Sequence, residues 1–366
     1  PLKHLEISLK GVQEGDFTFV FGYPGTTNRY AYSEAVAMAV EDQDPIAIAC
    51  RDIRLKHYKA AMEQSPAQRL RYASQVASIA NGWKKWQGEV EGIQRLQGIA
   101  KKQQQEQQFN AWAATKPAYS TVLQDLKRQY AILRPINKRK VYFSEAVFAS
   151  DFMQLAYRLT TLATVIDNGG SAEDMQSQIN STLRALESYY TDFANHSQVD
   201  KSIFVETMML VHRHGMLPYQ QEKSPEAFEA YLNEVYAKSL LSQPDKMRKT
   251  LTKINPANPT KAITKLMNTD PAVQLVMQCY FSLYQSPENK AEKDTRNEIS
   301  RLMRTYVKGM MECDAETRPI LEGEKPHFFP DANLTLRVAY GHVQGFHPRD
   351  AVYYKPYSTL EGIMQK

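Results

Sequence analysis

The sequence predicts a mainly α protein: a large helical domain inserted between β-strands. Three observations carry this. The front end, Phe17-Thr-Phe-Val-Phe-Gly-Tyr-Pro-Gly25, is an aromatic and β-branched run stopped by a Gly/Pro turn. The back end, Asn333-Leu-Thr-Leu-Arg-Val-Ala-Tyr-Gly341, alternates with period two. Nearly everything between them carries helical periodicity and helix-start signals. A strand at each end leaves N–H and C=O groups that need a sheet. The two ends are therefore expected to belong to one β protein, most of it lying outside these residues.

The elements follow in order. Strands are expected around His4–Leu9 and Phe17–Gly22, with turn chemistry at Gly11 and Glu14-Gly15-Asp16. From Tyr30 the period changes to helical, Ser33–Val40 is strongly helix-forming, and Asp44-Pro45 restarts a helix with proline at its first turn. From Ser65 to about Trp112 a single long helix is expected, on the order of 70 Å if unbroken. Ser65 is its N-cap, Pro66 its first residue and Gln68 the capping-box partner, with glycines at 82, 88, 92 and 98 as bending points. Further helices are expected over Ala118–Leu133, Ser144–Asp167, Ala172–Asn195, Lys201–His214, Pro225–Leu241, Pro271–Tyr284 and Pro287–Cys313. Asn168-Gly-Gly-Ser171 reads as a turn and N-cap, Ser224 and Ser286 as N-caps before proline, and Asn255–Pro259 as a connector. Composition shifts again from Gly323. Three segments result: 1–26 and 326–366 as partial β domain, and 27–325 as the inserted helical domain.

Composition excludes several classes. Hydrophobic residues make up 43% and charged residues 23% of 366, enough for a substantial core. The net charge is +5, and the basic runs 134–140 and 246–253 are interrupted by apolar residues, as on solvated helix faces. Nucleic-acid binding is not expected. No run of about 18 apolar residues occurs, so no membrane span is expected. The first residue is Pro1 with no apolar leader after it, although a removed N-terminus could have carried one. Cys50, Cys279 and Cys313 lack zinc spacing and read as free thiols, buried rather than bridged.

The long helix has two opposed faces. Val76, Ile79, Trp83, Trp86, Val90 and Ile93 form an apolar stripe. Ala77, Asn81, Lys84, Gly88 and Gly92 form a small face opposite. On spacing alone, the small face favours close packing against a neighbouring helix. The alternative is that small residues leave room for a ligand held by Asn81, whose amide oxygen accepts while its NH₂ donates. His212 and His214 diverge on a helix and suit its C-terminus, with Gly215 following. His342 and His347 sit in a Gly/Pro-rich loop without a telling partner, and Tyr189-Tyr190 and Tyr353-Tyr354 read as core or interface aromatics. HExxH, GxSxG, GxGxxG and P-loop patterns are absent from the sequence.

Three blocks nevertheless resemble the bacterial S46 serine dipeptidyl-peptidases, the group of dipeptidyl-peptidases 7 and 11. They are Gly22-Tyr-Pro-Gly-Thr-Thr-Asn-Arg-Tyr30, then Arg71-Tyr-Ala-Ser74 with Ala80-Asn81, Lys84 and Gly88, then Phe329-Pro-Asp-Ala-Asn-Leu-Thr-Leu-Arg337 with Tyr340-Gly341. The closing Tyr357-Ser-Thr-Leu-Glu-Gly362 is similar too. The resemblance implies a chymotrypsin-like double β-barrel with a helical cap, a Ser-His-Asp triad and acyl transfer. It implies that histidine and aspartate precede Pro1 and that serine follows Lys366, so no catalytic residue is expected within this chain. It implies that Asn81 binds the free N-terminus of a peptide substrate, which reverses the reading from spacing. A homodimer, a periplasmic or secreted location and the absence of a cofactor or metal are expected on the same ground. Two rivals stand beside it. A non-enzymatic helical scaffold or adaptor would leave Trp83 and Trp86 exposed as a patch. A catalytically dead homologue would differ only in the flanking sequence.

Overall fold

The computed structural model describes residues 3, 6–217, 223–318 and 327–364. They divide into two compact units, Tyr32–Pro319 and the two terminal segments Pro1–Ala31 and Ile320–Lys366.

The larger unit is helical. It opens with α1 (Ser33–Ala37), α2 (Asp44–Gln64), α3 (Pro66–Arg95), α4 (Gly98–Ala113) and α5 (Val122–Glu145). It continues through α6 (Asp151–Asp167), α7 (Ala172–Tyr190), α8 (Phe193–Arg213), α9 (Pro225–Lys238), α10 (Pro244–Thr252), α11 (Thr260–Thr269), α12 (Pro271–Cys279) and α13 (Glu292–Thr317). The main core is contributed by α6 to α12, with Phe152, Leu159, Phe204, Phe228 and Val276 fully buried. A second cluster joins α4, α5 and α13 through Phe109, Leu126 and Tyr306. A third joins α2, α3 and α8 through Tyr58, Tyr72, Ile79 and Ile203.

Several boundaries depart from expectation, each for a local reason. The long helix is broken at Gln97, which adopts a left-handed backbone (φ 52°) between α3 and α4. Of the four glycines, Gly98 marks the break, while 82, 88 and 92 lie within continuous helix. Ser65 does cap α3, accepting from the Gln68 N–H at 3.2 Å. The Gln68 side chain, however, donates to Asp192 at 2.9 Å, so no capping box forms. Helix α2 does start at Asp44 with Pro45 in its first turn. A π-helical stretch, Met38–Gln43, joins α1 to α2 and widens the turn ahead of the proline.

Helix α5 runs through Pro135 to Glu145, because Leu126, Tyr130, Leu133 and Ile136 are buried by tertiary packing. The expected helix from Ser144 is interrupted by a short 3₁₀ turn, and α6 begins after the Ser150 N-cap. Asp192, with φ 54°, ends the α7 segment early and lets α8 start at Phe193. Helices α10 and α11 were not foreseen. Ser286 precedes a 3₁₀ turn and makes no side-chain cap. The other punctuation matches: Gly169 (φ 66°) closes α6, and Ser171 with Asp174 forms a capping box. Ser224 caps α9, and Gly215 (φ 67°) ends α8 after His214.

In the terminal unit, β1 (Phe17–Gly22) pairs antiparallel with β2 (Arg337–His342), from Phe17 opposite His342 to Gly22 opposite Arg337. A second pair, β3 (Phe346–Arg349) with β4 (Val352–Tyr354), was not foreseen, and α14 (Leu360–Met364) follows. β2 starts later than expected because Leu334 sits at φ 65°. Residues 6–9 of the expected first strand are not in a strand, and His4 and Leu5 lie outside the described residues. Both sheets are two-stranded among the described residues, so a double barrel is not seen in them. No described residue of this unit is buried. Cys50 and Cys279 are buried free thiols whose pKa burial pushes up to about 12, and Cys313 is half-buried. No helix among the described residues is long and apolar enough to cross a membrane.

Candidate functional site

Helix α3 folds back along α2, and its apolar stripe faces that partner. Ile79 is buried, and Val76, Trp83, Trp86, Val90 and Ile93 are half-buried. Trp83 donates its indole N–H to Asp52 at 2.7 Å, and the Arg51 guanidinium lies 4.3 Å from the Trp86 ring centre. The two tryptophans are therefore engaged by α2, contrary to what the scaffold reading requires. The small face is the open one: Ala77, Asn81, Lys84 and Gly88 are exposed. A Cβ built at Gly88 or Gly92 would meet nothing within 4 Å. Close helix packing against this face, the expectation from spacing alone, is thus contradicted. The Asn81 amide has no hydrogen-bond partner among the described residues, which leaves its acceptor and donors available.

On the opposite, α2-facing side of the same turn of α3 lies Arg51 of α2. Its Nε and Nη2 donate to the two carboxylate oxygens of Glu145, at 3.0 and 3.1 Å, a forked pair. Its Nη1 donates to the Ile79 carbonyl at 3.2 Å. A Cβ on Gly82 would fall 2.5 Å from that Nη1, so the glycine is what lets the guanidinium come this close. The sequence signal for Arg51 was weak, because nothing in its local spacing marks a partner 94 residues away.

A second polar cluster was missed in the sequence. His196 and Asp200 sit one turn apart on α8, and Asp151 opens α6. His196 Nε2 is 3.0 Å from an Asp151 oxygen, and its Nδ1 is 2.9 Å from the Tyr72 hydroxyl. Asp200 is fully buried and accepts from the Asp151 and Phe152 N–H groups at 2.7 and 2.9 Å. The Tyr189 hydroxyl also donates to it, at 3.2 Å. Burial, reinforced by the neighbouring Asp151 charge and opposed by His196, pushes the Asp200 carboxyl up to about 7. The cluster borders a cleft of about 620 Å³ that Arg71, Gln154 and Arg158 also line. Its three side chains are of metal-ligating type and bring ligand atoms within 4.8 Å of one another. Each is already engaged within the protein, so the arrangement fits a structural cap for α6 that ties α3 to α8. The i, i+4 spacing of His196 and Asp200 was the one sequence clue to it.

His57 pairs with Glu206 at 2.7 Å, while His212, His214, His342 and His347 meet rings or backbone. His212 stacks on Phe228 at 4.4 Å, and His214 ends α8 near Tyr142. His342 Nδ1 is 3.0 Å from the Gly15 carbonyl, and His347 lies against Tyr353.

The helical bundle with its terminal strands is the fold of about half of a dipeptidyl-peptidase chain. Over all of this chain and 51% of the other, it matches Porphyromonas endodontalis DPP11 in complex with the dipeptide Arg-Glu, with a TM-score of 0.74 at 22% identity. The family model for peptidase S46 matches residues 1–366, and the chain belongs to that family. An Asp/Glu-specific dipeptidyl-peptidase of Capnocytophaga gingivalis is 34% identical over 383 residues, covering 100% of this chain and 50% of that protein. Dipeptidyl-peptidase 7 of Porphyromonas endodontalis is 28% identical over 377 residues, covering 100% and 43%. The chain spans about half the length of the curated relatives it matches.

Proposed function

We propose that this chain is part of an S46 serine dipeptidyl-peptidase that releases dipeptides from the free N-terminus of peptides. In this reading its helical unit is the cap, and Asn81 binds the α-ammonium of the substrate. The Ser-His-Asp triad belongs to the rest of the protein, so residues 1–366 by themselves are expected to be inactive. The reading is carried by one observation. Within a family match over the whole chain, the face of α3 that holds Asn81 is open, and the amide is unpaired among the described residues.

The chemistry suits the task. A neutral amide oxygen accepts a hydrogen bond from an ammonium without bringing a second charge into the site. A carboxylate elsewhere in the protein would balance the ammonium's charge. Lys84, exposed on the same face, would repel it and is not assigned to binding. The test is Asn81→Ala in the full-length protein. It should lower kcat/KM on a dipeptidyl substrate by about 1–3 kcal/mol of transition-state binding. Unchanged kinetics would remove Asn81 from the site.

A further inference from the structure

We infer that Arg51, seated by Glu145 and admitted by Gly82, is a positioning residue that fixes Asn81 for amine recognition. The inference rests on the assignment of Asn81 above and adds the device that holds it.

The geometry is specific. Three helices meet at one guanidinium: α2 supplies Arg51, α5 supplies Glu145 from its last turn, and α3 supplies the Ile79 carbonyl and the Trp86 ring. The Arg51 and Glu145 side chains are each only 18% exposed, so the forked pair is largely shielded from water. Two of the anchors, Ile79 and Gly82, bracket Asn81 at two residues before and one after. The third, Trp86, lies one turn beyond Gly82 on the same buried side. The backbone that carries Asn81 is thereby tied from below while its side chain stays free above.

A lysine at 51 could not reproduce this, because a point charge has neither the fork nor the flat face that lies against indole. A displacement of about 1 Å in a binding group can cost about 100-fold in rate. The glycine is the sharper sign. An interior helical glycine is destabilising relative to alanine, and here its lack of a side chain is what admits the guanidinium.

Gly82→Ala in the full-length protein separates the two roles. If the pair only supports the fold, the alanine Cβ, meeting Nη1 at 2.5 Å, lowers thermal stability and leaves the kinetics of the folded protein alone. The positioning role expects Arg51 to be pushed off Ile79 and kcat/KM to fall roughly 10- to 100-fold in a folded protein. The decisive measurement is a double-mutant cycle on a fluorogenic dipeptidyl amide. If Arg51 acts through Asn81, Gly82→Ala adds little further loss once Asn81→Ala is present. Fully additive losses, or no loss from Gly82→Ala, would overturn the positioning role while leaving Asn81 in place. A loss from Gly82→Ala with none from Asn81→Ala would overturn both assignments. Should Gly82→Ala fail to fold, Glu145→Gln keeps Arg51 present but loosens its seat. It should show a smaller loss that again disappears in the Asn81→Ala background, and additivity there would equally overturn the role.

Discussion

The helical unit and the terminal strand unit solve burial in opposite ways. In the first, Phe152, Phe204, Phe228 and Leu159 have no solvent exposure at all. In the second, Phe17, Phe19 and Phe21 are 58–60% exposed, and Tyr340 across the ladder from Phe19 is 71% exposed. Both units are rich in aromatics, so composition does not distinguish them. What differs is that helices close their own backbone hydrogen bonds and can pack side chains from many sequential neighbours. A two-stranded ribbon satisfies only one edge of each strand and is marginal without further strands or a covering layer.

The largest test of that contrast is a pair of truncations. Phe204→Ala should cost about 3–5 kcal/mol, because its ring packs against Phe152 at 5.1 Å in a fully buried cluster. Phe19→Ala in the same chain should fall within about 0.5 kcal/mol. Urea unfolding measures both, and equal losses would break the comparison. Next comes Asp200. Replacing it with Ala leaves the Asp151 and Phe152 N–H groups without their acceptor, for an expected loss of about 2–4 kcal/mol.

Asp200 also sets a pH dependence. Its folded pKa, about 7, lies above the ordinary carboxylate value of 3.8. The folded state therefore holds the proton more tightly, and between those pH values it binds more protons than the unfolded state. Its contribution to stability is fully present below about pH 4 and is lost as pH rises through about 7. The groups facing it are Asp151, His196 and the Tyr189 hydroxyl. Asp200→Asn should flatten the stability profile across that window, and an unchanged slope would assign the dependence elsewhere. The smallest effect is Gln97→Gly. Relieving its left-handed backbone should raise stability by about 0.5–1 kcal/mol, read as a higher Tm.

The sequence announced the helices well where side chains cap their own ends. Ser65, Ser171, Ser224 and Gly215 act within a few residues, and each sits where its spacing suggests. It announced them poorly where the deciding partner is distant. Pro135 stays inside α5 because packing holds it there, and Gln68 leaves its capping role for Asp192, 124 residues away. The same split governs the candidate site. Asn81 enters as a candidate through the resemblance of its local motif, and the openness of its face was not legible, since periodicity marks two faces without saying which one is covered. Arg51, Glu145 and the Asp151–His196–Asp200 group come from different helices, and only the fold brings them together.

Asn81 stands fifteen residues from the first residue of α3 and fourteen from the last. The Arg51 anchor therefore grips this helix near its midpoint, with arms of about 22 Å on either side. The arm that runs back to Ser65 is held as well, by Gln68 to Asp192 and by Tyr72 to His196. The asparagine therefore rides on a rod fixed at its start as well as at its centre.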